Sequence, residues 1–422
     1  MKLLIIGGTG VISTAVVAEC LKENISITCI NRGRNKLRKN NEGCEVIYSD
    51  VNDVDKILSF VGENHFDAVI DFISFSTQNI SDHLAWLHKI CDKYIFISST
   101  AVYNQSIDSD FSEDSVKVNQ QWLYSINKWK CEELVVKLCK EYGITYTILR
   151  PSVTYDNTRI PYGIMPPYGK HWTLVSRILN NKPIVKWDNG EYFCTATRVE
   201  DFAKATAKLI TNSQSDNEAF NIVGDVSENW SDILNTIGCV IGVKPTAVYL
   251  SPLEYKTELK NNEITGRLFS KPIPNIKLKS IVPDFKSTIS LKEGIEKTIN
   301  HYKENNYLNG IDYVYDGIHD RIVAKYHKEY KDKCKFIDYL GNATIHDRID
   351  YTCGYYNNYT FIKVTFNFLR KMLTKLRDLN ARSSSVWRQW TSGGGKRLII
   401  KQIDDCRATG VLFHNQLCIL YN

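Results

Sequence analysis

The stretch "KLLIIGGTGVISTAVVAECLKENISITCIN", residues 2–31, decides the fold. Its opening "KLLII" is a short apolar run that meets glycines at once, which suits a buried strand and is too brief for the apolar region of a signal peptide. "GGTGVIS" reads as a tight turn, "TAVVAECLKEN" as a helix and "ISITCI" as a second strand. Strand, glycine turn, helix and strand make a βαβ unit. Gly7 and Gly10 stand where backbone must approach a pyrophosphate held at a helix N-terminus. Ser13 occupies the place where a third glycine often permits close helix packing.

Outward from this unit, apolar runs recur at "CEVIYS", "DAVIDFI", "KYIFISS" and "TYTILR", separated by helical stretches such as "NISDHLAWLHKICD" and "INKWKCEELVVKLCKEYG". Alternating strands and helices predict an α/β fold, a Rossmann-like doubly wound parallel sheet covered on both faces. From Pro151 the pattern loosens into "PSVTYDNTRIPYGIMPPYGKHW", a loop rich in proline, glycine and tyrosine. A helix over 172–181, a strand then helix in "EYFCTATRVEDFAKATAKLIT", the strand "AFNIVG", and helices near 228–241 and 291–305 follow. These predict a smaller α/β substrate lobe, mainly 151–305, completing a first domain over 1–305.

Residues 306–422 form a C-terminal extension for which no fold is derived. Between 361 and 401 it carries ten Lys or Arg against one acid, Asp378. "IHDRI" occurs at 318–322 and again at 345–349, but five residues are too few to mark a structural repeat.

Composition narrows the function classes. The 422 residues are 43% hydrophobic and 24% charged, ordinary globular values. No run approaches the roughly 20 apolar residues of a membrane span. Twelve cysteines are scattered singly, without a Cys-x-x-Cys pair or a cysteine–histidine cluster, so no metal site is expected and reduced thiols fit a cytoplasmic protein. A net charge of +6 suits anionic small molecules more than nucleic acid.

Two further stretches carry chemistry. The second strand ends in "INRGR", where Asn31, Arg32 and Arg34 offer donors and positive charge in place of the acid that would accept from a ribose 2′-hydroxyl. A 2′-phosphate is the better partner, so NADP is expected, with NAD the alternative. Asp50, ending "VIYSD", can accept from an adenine amino group or cap a helix. In "YSINK", Tyr124 and Lys128 lie four apart on a helix and so share a face. Upstream, "KYIFISSTAVY" ends in Ser98, Ser99 and Thr100 at a strand's carboxyl edge, where doubly wound sheets bind ligands.

Together the Gly-rich first turn, the Ser-Ser-Thr strand end and Tyr-x-x-x-Lys resemble the extended short-chain dehydrogenase/reductase family, in its NAD-dependent epimerase/dehydratase branch acting on nucleotide sugars. "ILRPSVTYD", "TRVEDFAKA" and "VPDFKSTISLKEGIEKTINHY" are similar to later family segments, so the resemblance spans residues 1 to about 305. It implies that Tyr124 is the acid/base, that Ser99 holds the reacting oxygen, and that Lys128 favours the phenolate and meets the nicotinamide ribose. A free tyrosine, with a pKa near 10, is a poor base at neutrality without such help. Candidate cofactor contacts also include Thr9, Val11 and Ile12 in the first turn and Val51 beside Asp50. Phe72, Ile73 and Ser74 after the fourth strand, and Pro151, complete that set.

Family dehydratases resemble one another in an Asp-Glu pair after the catalytic hydroxyl, whereas this chain reads Ser99-Thr100-Ala101-Val102. The expectation is therefore a nucleotide-sugar epimerase working by transient hydride transfer, or else an NADPH-dependent reductase of a nucleotide-linked keto-sugar. Candidate substrate contacts are Thr100, Tyr155, Arg159, Arg177 and Arg198, since bidentate arginine suits phosphate. Arg150 is expected either in an ion pair or at the ligand. The resemblance implies a homodimer. The cations and aromatics of "FIKVTFNFLRKMLTKLRDLNARSSSVWRQW" keep open a non-catalytic RNA-binding relative, or an amphipathic helix docking a partner or membrane surface.

Overall fold

The computed structural model describes residues 1–35, 38, 42–104, 111–118, 122–164, 166, 169–187, 191–259 and 271–356. The chain divides into two compact units, Met1–Gly310 and a second beginning at Ile311.

In the first unit, β1 (Lys2–Ile6), β2 (Ser26–Asn31), β3 (Glu45–Tyr48), β4 (Ala68–Asp71), β5 (Lys93–Ile97) and β6 (Thr145–Pro151) enter one sheet. Four short strands follow, β7 (Val153–Tyr155), β8 (Ile184–Trp187), β9 (Phe193–Cys194) and β10 (Ala196–Arg198), before β11 (Glu218–Ile222) returns to the large sheet. Its order is β11-β6-β5-β4-β1-β2-β3, and every pairing is parallel. Strand order reverses at β1, so the crevice beyond the carboxyl ends of β1 and β4 is the ligand position of such sheets.

The helices are α1 (Val11–Lys22), α2 (Val54–Val61), α3 (Thr77–Leu87), α4 (Leu123–Tyr142), α5 (Trp172–Leu179), α6 (Val199–Ile210) and α7 (Trp230–Ile241), with further ones at Ile276–Ile281 and Leu291–Glu304. Strand alternation divides the core. Leu3 and Ile5 join Val16 and Val17 of α1 and Phe202 of α6 on one face. Leu4 and Ile6 join Ile57, Ile80, Leu84 and Val135 of α2, α3 and α4 on the other. The unbroken apolar runs seen in the sequence are this two-sided burial.

In the smaller lobe β10 pairs with β7, β9 with β12 (Glu228–Asn229) and β8 with β13 (Ala247–Leu250). The helix expected over 172–181 ends at Leu179, because Asn181 takes a left-handed φ of 55° and Pro183 follows.

The second unit pairs the helices Tyr313–Tyr326 and Ile345–Tyr355 at two glycines. A Cβ on Gly317 would lie 2.1 Å from the Tyr351 carbonyl oxygen, and one on Gly354 would lie 2.2 Å from that of Val314. The two "IHDRI" copies do different work there. Asp320 is buried and accepts from the Tyr351 hydroxyl at 2.7 Å, whereas Asp347 caps its helix through Thr344. The basic segment 361–401 lies outside the described residues.

Candidate active site

The glycine turn is built from its own side chains. Gly7 has a φ of 84°, and a Cβ there would sit 2.5 Å from the Ile73 methyl, so only glycine fits. Ser13, standing where a third glycine often permits close packing, donates from Oγ to the Gly7 carbonyl at 2.6 Å and accepts from the Gly10 N–H at 2.7 Å. The serine staples the turn and leaves the N-terminus of α1 facing a cavity of about 910 Å3.

That cavity runs along the carboxyl edge of the sheet. One wall includes Gly7, Thr9, Gly10, Val11 and Ile12 of the turn, then Asn31, Arg32 and Arg34 after β2, then Asp50 and Val51 after β3. Phe72 and Ile73 follow β4, and Pro151 ends β6. Arg32 and Arg34 are exposed. Asp50 accepts from the Asn52 backbone N–H at 3.1 Å, a local turn contact that leaves the residue at the wall.

Further along the same cavity stand Ser99, Thr100, Tyr124, Lys128 and Arg159. α4 brings two of them in. Its buried stripe, Ser125, Lys128, Cys131, Glu132, Val135 and Cys139, has helical spacing and lies on the sheet. Lys128, 2% exposed, donates to the carbonyls of Ser74 at 2.9 Å and Ile97 at 2.8 Å, and its ammonium lies over the rings of Phe75 and Phe96. Burial pushes its pKa down to about 8, opposed by the charges of Cys131, Asp71 and Glu132. Tyr124, in the first turn of α4, is 36% exposed and stacks at a tilt on Trp122.

The two serines after β5 divide their work. Ser98 is buried and donates to Glu132, which pairs bidentately with Arg150, Nε to Oε1 at 3.0 Å and Nη2 to Oε2 at 2.7 Å. Arg150 also donates to the Tyr103 hydroxyl at 2.8 Å and the Glu113 carbonyl at 2.9 Å, so it is a structural ion pair. Burial alone would lower the Arg150 pKa, but the Glu132 bonds outweigh it and hold it above the ordinary arginine value. Ser99, with its Oγ accepting from the Ala101 N–H at 3.1 Å, is the serine at the cavity.

Residues 3–223, more than half of the chain, match the model of the NAD dependent epimerase/dehydratase family. The chain belongs to that family. Within the epimerase/dehydratase family, it is 24% identical over 327 residues to a putative UDP-glucose 4-epimerase of Methanocaldococcus jannaschii, covering 72% of this chain and 99% of the other. It is also 25% identical over 268 residues to the chloroplast stem-loop binding protein of 41 kDa b of Arabidopsis thaliana, covering 60% and 67%. The fold is shared with the Bacillus cereus UDP-glucuronic acid 4-epimerase crystallised with UDP-glucuronic acid and NAD, at a TM-score of 0.59 and 20% identity, over 72% of this chain and 99% of that one.

Four expected contacts of this epimerase/dehydratase chain lie elsewhere than the cavity wall. Ser74 is buried with its hydroxyl on Asp71 at 2.7 Å, and only its carbonyl turns toward Lys128. Tyr155 is buried against Gly294, beneath the guanidinium of Arg198. Arg198 itself bonds Glu200 and Asn157. Arg177 is fully buried and donates to the Pro183 carbonyl at 2.8 Å. Tyr155, Arg177 and Arg198 are taken up in packing the lobe and Ser74 in holding Asp71, which residue type alone does not reveal. Conversely, Asn79 and His83, one turn apart on α3, line the cavity without a motif to announce them.

A short clasp joins the cavity's two ends. Asn35 donates to the Thr9 carbonyl, and Arg38 donates to Asp156 from Nε at 2.9 Å and again from Nη2, which also meets Thr158. Among the described residues, no helix is long and apolar enough to cross a membrane.

Proposed function

We propose that this chain is an NAD(P)-dependent nucleotide-sugar epimerase, with Tyr124 as acid/base and Ser99 and Lys128 as its partners. One observation carries the reading: Ser99, Tyr124 and Lys128 line the same cavity as the stapled glycine turn. The turn and the N-terminus of α1 fit a dinucleotide's pyrophosphate, which backbone N–H groups and the helix dipole attract. A bound dinucleotide would supply a hydride acceptor and donor in its nicotinamide. Tyr124, as phenolate, takes the proton of the sugar hydroxyl and gives it back, while Ser99 donates to the reacting oxygen. Lys128 lowers the cost of the phenolate by its charge and offers its remaining N–H to a ribose hydroxyl. The absence of an acidic pair after Ser99 argues against elimination of water.

Lys128 gives the reading a pH dependence. Its folded pKa is depressed from the ordinary 10.5 to about 8, so between those values the unfolded chain binds more protons and the group adds stability as pH rises. Its charge is lost over the same rise, so sugar turnover is expected to fall above about pH 8. Burial also brings Lys117 down to about 8, so nitrogen NMR of lysine-labelled protein should detect two lysines titrating there, of which Lys128→Met removes one. Finding no such lysine would discard the assignment.

Arg32 and Arg34 favour the second reading, a reductase using NADPH, because their charge suits a 2′-phosphate. Replacing both by Ala is expected to weaken NADPH about tenfold relative to NADH in fluorescence titrations. Equal effects on the two would place the arginines outside 2′-phosphate recognition. The deciding experiment follows the near-ultraviolet absorbance of NADPH and, separately, NADH across nucleotide-linked sugars and keto-sugars, with product masses. Isomerisation without net cofactor loss supports the epimerase; a product heavier by two hydrogens supports the reductase. If no sugar changes and neither cofactor binds, the catalytic reading fails. The RNA-binding alternative, favoured by the stem-loop binding relative, then takes its place.

A further inference from the structure

Beneath the cavity wall lies a polar network that the catalytic reading does not use. Asp71 ends β4 fully buried. Its Oδ1 accepts from the backbone N–H groups of Ile73 at 2.9 Å and Ser74 at 3.0 Å. Its Oδ2 accepts from the Ser74 hydroxyl at 2.7 Å and the Tyr94 hydroxyl at 2.8 Å, and lies 2.6 Å from Nδ1 of His83. Burial alone would raise the Asp71 pKa, but the bonds from His83, Ser74 and Ile73 outweigh it and hold the carboxyl below its ordinary value.

An ionised carboxylate fixes its neighbour's tautomer. With Nδ1–H directed at Asp71, a neutral His83 carries an acceptor at Nε2. That atom is buried and has no hydrogen-bond partner among the described residues, on a side chain only 2% exposed. Buried polar atoms of this kind call for an explanation, because leaving one unmet costs stability. The cavity supplies it. Its wall includes His83 but neither of the residues that hold its Nδ1, Asp71 and Ser74. Ser74 also links this ring to the catalytic lysine, since its hydroxyl lies 3.0 Å from His83 Nδ1 and its carbonyl accepts from Lys128.

We propose that His83 is a ligand-binding residue of this cavity, with Nε2 accepting a hydrogen bond from a hydroxyl of the bound ligand. The inference rests on the reading that the cavity takes a dinucleotide and a nucleotide sugar. Both carry hydroxyls, on ribose and on the sugar, and a neutral imidazole acceptor set by a buried carboxylate suits either. Asp71 is then a positioning residue, acting through His83 and Ser74.

Calorimetric titration of the full chain with NADP+ and NAD+, and separately with UDP-glucose, tests this. His83→Phe keeps a planar ring without the acceptor and is expected to weaken one ligand about tenfold. His83→Gln restores an acceptor near Nε2 and should recover most of the loss. A loss confined to the dinucleotides assigns the ribose hydroxyl; a loss confined to UDP-glucose assigns the sugar. In case the Phe variant fails to fold, the nitrogen NMR shift of His83 Nε2 in the unmodified protein gives a second readout and should move on addition of the ligand concerned. Unchanged affinities in a folded His83→Phe protein, or an Nε2 signal that no ligand moves, overturns the proposal and leaves His83 to a water. If the unmodified protein binds none of these ligands, the reading of the cavity falls first and this inference with it.

Discussion

Replacing Tyr124 with Phe is expected to lower sugar turnover about 10^2- to 10^4-fold, the usual worth of a positioned acid/base, with dinucleotide affinity unchanged. The separation follows from where the residue stands. Tyr124 occupies the first turn of α4 and is 36% exposed, so losing its hydroxyl opens no buried cavity. The glycine turn at the cavity is held by Ser13, which bonds to Gly7 and Gly10. Steady-state rates and calorimetric titration on the same preparation check both halves. A variant that keeps its rate would remove Tyr124 from the chemistry, and one that loses rate and dinucleotide affinity together would make it a structural residue.

Glu132→Ala is expected to be the costliest stability change, at about 3–5 kcal/mol, because it strands a buried guanidinium. Arg150 and Glu132 have side chains only 4% and 2% exposed, and Glu132 also holds Ser98. Glu132 lies one turn beyond Lys128 on the same buried stripe, so the pair fixes the helix that carries Lys128 against β5 and β6. The measurement is denaturant unfolding followed by a probe within residues 1–310, since two compact units need not unfold together. Glu132→Met with Arg150→Met should recover part of the loss, since a well-packed apolar pair commonly replaces a buried ion pair at little cost. If the double variant is as unstable as Glu132→Ala, the stranded charge is not the cause.

Much of this was legible in the chain. Strands buried on both faces are written as unbroken apolar runs, and the first glycine turn must be glycine where φ is positive. Local spacing carried Tyr124 and Lys128, because four residues on a helix fix a shared face whatever surrounds it. Side-chain fate across long separations was not legible. Arg177 and Arg198 look like phosphate ligands by type, yet one is spent on a carbonyl six residues away and the other on Glu200 and Asn157. Ser74 looks like a cavity hydroxyl, yet Asp71 holds it from within. His83 escaped for the opposite reason: its partner lies twelve residues back, and nothing in either residue's neighbours marks the pair.

Arg38 has a thermodynamic consequence beyond holding a loop. Asn35 meets the glycine turn at Thr9, Arg38 meets the loop after β7 at Asp156 and Thr158, and the Arg38 N–H donates to Asn35 Oδ1 at 3.2 Å. A ligand that shifts the segment at one end therefore alters the free energy of the other end. Such linkage is reciprocal. Whatever preference for a second ligand a first one confers through this contact, the second must confer in equal measure on the first.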